Sequence, residues 1–163
     1  MAFGDYLAGR YDKALARYKD LAGQEPENPV WHWSLGLCYE EKGMFSEAIV
    51  EHNRAISLLD KEGASPIIWV ARTLLSRSYA LAGRGAEARA LLGSIEREGN
   101  VPPYLLGTVY AALGEADHAF AWFDRAYQAH DEEMLAIKVD PKLRSLRSDP
   151  RYHALLRKMG FEP

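Results

Sequence analysis

The stretch SLGLCYEEKGMFSEAIVEH, running from Ser34 to His52, decides how this chain folds. Its first half holds Leu35-Gly36, with Tyr39 three residues beyond the glycine. Gly43 stands at its centre, and Ala48 and His52 follow at spacings of five and then four residues. An apolar helical pattern on both sides of a glycine predicts two antiparallel helices joined by a tight turn. The glycine stops the first helix by taking a left-handed backbone that residues with a Cβ resist. Two helices come close only where one presents Gly or Ala and the other a larger side chain. Gly36 and Ala48 are the small positions here, and Tyr39 fills the gap between the helices.

The arrangement recurs along the chain. Glycines at 9, 43, 83 and 114 open the segments GRYDKALARYKDL, GMFSEAIVEHNRAI, GRGAEARALLGSI and GEADHAFAWFDRAY, and lie 34, 40 and 31 residues apart. Each is followed five residues on by alanine (Ala14, Ala48, Ala88, Ala119) and four further by a larger residue (Tyr18, His52, Leu92, Phe123). Upstream, Leu75-Ser76 with Tyr79 and Leu106-Gly107 with Tyr110 repeat the spacing of Leu35-Gly36 with Tyr39. On these residues the chain resembles the tetratricopeptide repeat family, whose pattern is W-x2-L-G-x2-Y, then A-x3-F, then P. Trp31 and Trp33 flank the usual tryptophan position at His32. Asp60 replaces the closing proline of the second repeat, whereas Pro26 keeps it in the first. The resemblance implies an all-α fold: a tetratricopeptide-type antiparallel helix-hairpin solenoid, or α-α superhelix, with a C-terminal helical cap. Residues 1–130 would form one truncated and three full repeats, and residues 131–163 the capping segment packed on the last of them.

Glycine, proline and capping signals give expected helices at residues 1–8, 11–22, 30–42, 46–59, 66–82, 86–97, 101–113 and 115–129. Asn28 caps the third, and residues 61–65 form an inserted polar loop before a fresh start at Ser65-Pro66. Asp140-Pro141 and Asp149-Pro150 mark two further helix starts, each an acidic cap before proline. In the last helix Tyr152, Leu155, Leu156 and Met159 share one face, the face expected to cover Phe120, Phe123 and Tyr127. The ending, KVDPKLRSLRSDPRYHALLRKMGF with the repeat before it, is similar to the C-terminal repeat region of multidomain bacterial signalling proteins. In those, such segments follow a Ser/Thr kinase, winged-helix or nucleotide cyclase domain. That resemblance implies a sensory or docking module, and this chain carries no signature of those catalytic or DNA-binding domains.

Composition narrows the function classes. The chain has 163 residues, of which 48% are hydrophobic and 26% charged, enough to bury a core. Twenty basic against twenty-three acidic residues leave a net charge of −3 with both signs interspersed. Neutralising a phosphate backbone needs clustered positive charge, so no nucleic-acid partner is expected. No apolar run approaches the length of a membrane span, and no leader peptide is visible, so a cytoplasmic location is expected. Cys38 is the only cysteine and sits in an apolar helical pattern as a buried small hydrophobe. His32, His52, His118, His130 and His153 never fall four residues apart, as a helical zinc pair would require. His130-Asp131-Glu132-Glu133 reads as a helix end with an acidic turn, and Gly83-Arg84-Gly85 as a helix turn without the strand a phosphate loop needs. No catalytic, cofactor or metal residues are assigned, and an enzyme is not expected. Arg144, Arg147, Arg151, Arg157 and Lys158 read as a solvated basic face paired locally with Asp140 and Asp149, with a docking patch for an acidic partner or nucleic acid as the alternative.

A protein or peptide partner follows from the family resemblance, in which the first helices of successive repeats line a concave groove. Periodicity places Trp33, Leu37, Glu41, Thr73, Arg77, Tyr104 and Thr108 on that face as the candidate groove; for Trp33 and Tyr104 simple packing between helices is the other reading. Trp33 and Leu37 stand where a carboxylate-clamping groove would need Lys and Asn, so that function is disfavoured. An alternative is self-association as a homodimer, through apolar surface around Phe3, Leu7 and Tyr18 on the truncated first repeat.

Overall fold

A computed structural model describes residues 1–61, 65, 67–99 and 101–161. Helices α1 (Ala2–Leu7), α2 (Tyr11–Gln24), α3 (Pro29–Glu41), α4 (Phe45–Lys61), α5 (Ile68–Leu81), α6 (Gly85–Glu98), α7 (Pro103–Ala112) and α8 (Ala116–Gln128) follow in order. Two 3-10 turns, Glu132–Ala136 and Pro141–Leu146, lead to α9 (Pro150–Lys158). No strand occurs among the described residues. The expected Pro66 start and most of the 61–65 insertion lie outside the described residues.

Consecutive helices pair as hairpins, and the first helices α3, α5 and α7 also pack on one another. The fold is therefore the all-α helix-hairpin solenoid expected from the repeats. Gly43, Gly83 and Gly114 close the first helices with φ of 72°, 76° and 75°, the left-handed region that selects glycine. A Cβ added to Gly36 would stand too close to the His52 ring to fit, and one added to Gly107 too close to the Phe123 ring. In the third repeat Ser76 takes this position, and its hydroxyl donates to the Ala88 carbonyl at 2.8 Å instead.

The ending departs from the expected pair of helices, because the Asp140-Pro141 start yields only a 3-10 turn. Its place in the fold explains the short element. Met134, Ile137, Leu143 and Leu146 are buried in one cluster with Tyr104, Phe120, Phe123, Tyr152, Leu155 and Leu156. The 3-10 turns pack on α7, while α9 packs on α8. Residues 131–161 thus wrap around the last hairpin and lie against both of its helices.

Candidate functional site

On α3, Gly36 faces His52, and Glu40 follows one helical turn later on the same side. Glu40 is buried and receives Arg77 and Ser78 of α5, with His52 Nε2 at 3.6 Å. Burial alone would raise the Glu40 carboxyl, but Arg77, His52 and Ser78 together hold it below the usual carboxylate range. This ion pair joins the second hairpin to the third. Among the described residues the Arg77 Nε, both His52 ring nitrogens and the Tyr6 hydroxyl are buried without a hydrogen-bond partner.

Glu41 is the next residue and is differently placed. Its side chain is 5% exposed, with Arg77 Nη2 at 3.8 Å and Arg144 Nη2 at 3.2 Å. The same Arg144 nitrogen donates to the Tyr11 hydroxyl at 2.8 Å, so the second 3-10 turn reaches across to the first hairpin. Burial raises the Glu41 carboxyl, and the two arginines do not fully offset it. Beside this group opens a cavity of about 370 Å³. Phe45, Leu81, Ala111 and Ala112 contribute its apolar wall; Glu40, Glu41, Arg77, Lys142, Arg144 and Ser145 contribute the polar one.

The tail that shapes this cavity is held by contacts of two strengths. Tyr104 donates its hydroxyl to Asp140 at 2.7 Å, and Asp140 caps the 3-10 turn by accepting from the Lys142 N–H at 2.9 Å. Four apolar side chains are sunk beside them, each burial stabilising by about 1.5–3 kcal/mol. Arg144, by contrast, is 60% exposed, although the Glu41 carboxylate it pairs with is 5% exposed. The tail is held by its buried side chains, whereas the Arg144 side chain lies at the surface.

These positions correct the expected groove. Thr73, Tyr104 and Thr108 are 1%, 0% and 1% exposed and line no open surface. The two threonine hydroxyls return to backbone carbonyls on their own helices, Trp69 and Leu105, and Tyr104 is covered by the tail. Arg77 is also buried, although its side chain still lines the cavity wall. Trp33 packs on Ala55, Leu59 and Ala71 between hairpins, and Leu37 packs on the cluster around Tyr6. Of the seven candidates, the cavity brings together Glu41 and Arg77. The patch expected for self-association is smaller than it looked: Tyr18 is buried beside Trp31, and Phe3 stands 56% exposed. Glu40, Lys142 and Arg144 are not among the seven groove candidates; Arg144 is read from sequence with the basic face of the ending. A carboxylate one turn after the close-packed Gly36 was the signal for Glu40; nothing local announces the other two.

Of the remaining basic residues Arg151 keeps an expected partner, Asp149, whereas Arg147 donates to the Asp140 backbone carbonyl at 3.3 Å and Lys158 pairs with a repeat. Arg151 binds Asp149 at 2.7 Å and Asp117 at 2.6 Å, and Lys158 binds Asp124 at 3.1 Å. Asp131 caps the first 3-10 turn and accepts from the Tyr104 N–H at 3.0 Å, so the acidic turn is a structural joint. Among the described residues no cluster could hold a metal ion, and no helix is long and apolar enough to cross a membrane.

The repeated hairpin, with glycine turns and glycine-to-ring contacts between its helices, has a counterpart among known proteins. Residues 6–66 match the tetratricopeptide repeat family. Tetratricopeptide repeats generally mediate protein–protein interaction. A curated relative, the BBSome complex member BBS4 homolog of Drosophila melanogaster, is 33% identical over 132 residues. That alignment covers 77% of this chain, which spans about a quarter of the relative's length.

Proposed function

We propose that this chain is a protein-binding module that takes a segment of a partner along the face made by α3, α5 and α7. The observation that carries the reading is the cavity of about 370 Å³ on that face, lined by both apolar and charged side chains. Such a site offers apolar contact for affinity and a few placed polar groups for orientation. The partner reaches the part of the face that the tail leaves open, between Glu41 and Leu81, not the whole length of the superhelix. The relative's description as a member of a complex supports an assembly role, and the similarity of the ending to signalling proteins supports a place in a regulatory system.

Site-directed photo-crosslinking tests this reading. A photoreactive residue at Phe45 or Leu81 should capture a discrete partner, while one at the exposed Ala90 on α6 should not. Capture from Ala90 alone would move the binding surface to the outer helices and overturn the proposal.

A further inference from the structure

We infer that the cavity beside Glu41 is a receptor for an arginine side chain of the partner, and that Arg144 occupies this receptor in cis. This rests on the protein-binding reading above and adds the chemistry of the partner. One guanidinium nitrogen of Arg144 donates to the Tyr11 hydroxyl at 2.8 Å and lies 3.2 Å from the Glu41 carboxylate. A planar guanidinium spreads several donors over such a pair of oxygens, which a single ammonium does less well. The carboxylate is nearly buried while its occupant is mostly exposed. The arrangement leaves the cation within reach of solvent.

Neighbouring charges select the same ligand. Arg77 is committed to the buried Glu40 and stands farther from Glu41, at 3.8 Å. Lys142 is taken by Asp140 at 3.1 Å. Glu41 is compensated by Arg77 first and by Arg144 second, and of the two Arg144 is the one that solvent reaches. A partner's arginine would replace Arg144 like for like. Arg144 would turn into solvent, and its neighbours Leu143 and Leu146 would stay buried, so nothing in the tail has to unfold. A partner without such a residue would have to leave Arg144 in place and work around it.

The test uses the full chain with Arg144→Ala, which empties the receptor at an exposed position. N-acetyl-arginine amide is titrated into it and followed by NMR at Tyr11 and Glu41. N-acetyl-citrulline amide, nearly the same shape without charge, is the control. Arginine amide should bind the variant at least about tenfold more tightly than the parent, citrulline amide should not bind, and adding Glu41→Gln should abolish the effect. Arg144→Lys, a poorer occupant that keeps the charge, should bind arginine amide more tightly than the parent and less tightly than the alanine variant. Equal binding with and without Glu41, or no binding to Arg144→Ala, overturns the inference. The crosslinking experiment keeps the two proposals apart. Capture from Leu81 that arginine amide does not compete would leave the protein-binding reading standing and the arginine receptor refuted. Absence of capture from the whole inner face would refute both.

Discussion

Glu40 and Glu41 are neighbours on α3 with opposite relations to stability. The Glu40 carboxyl is depressed below its ordinary range, so its contribution is present above the unfolded value and is lost as pH falls through the folded one. Glu40→Gln strands the Arg77 guanidinium in the core and should cost about 3–5 kcal/mol in chemical denaturation at neutral pH. The Glu41 carboxyl is raised, so its contribution is full below the unfolded value and disappears as pH rises through the folded one. Glu41→Gln should leave neutral-pH stability unchanged or higher; a loss comparable to that of Glu40→Gln would show that Glu41 is structural. At the same scale, Ala48 is fully buried at the hairpin contact, and Ala48→Leu should overpack it by about 1–3 kcal/mol, read as a lower thermal midpoint. The close-approach residues were legible because their chemistry is local. Gly36 and His52 lie in one hairpin, and their spacing alone brings them together.

The elements show where local reading stops. Helix ends from α2 to α8 fall within two residues of those expected from glycine, proline and capping signals, and α9 begins at Pro150 as expected. The face of each helix was harder to read. Periodicity correctly groups Thr73 with Arg77 and Tyr104 with Thr108, but it cannot say what returns to cover them. That information lies in contacts between Tyr104 and Asp140 and between Tyr11 and Arg144, distant in sequence and unmarked by any repeat. Asp140 ties these parts together, accepting from the Tyr104 hydroxyl and from the Lys142 N–H. Asp140→Ala would leave the Tyr104 hydroxyl buried and unpaired. The expected cost is about 1–3 kcal/mol, with faster hydrogen exchange in residues 141–146 than in α3 or α4. Equal exchange throughout would mean that Asp140 does not hold the turn.

At the scale of the whole molecule, the inner face is built by two parts of the chain, the first helices of the repeats and the returning tail. The tail completes the core of the last hairpin and narrows the face open to a partner to the stretch beside Glu41. Stability in stacked repeats passes chiefly between nearest neighbours, so removing one end should be felt most by the adjoining hairpin. Hydrogen exchange measured on the full chain and on residues 1–130 tests this directly. Truncation should strip protection from α7 and α8, reduce it in α5 and α6, and leave α3 and α4 least affected. Unchanged protection across residues 103–128 would contradict the account, because it would show the tail to be an arm resting on a finished solenoid.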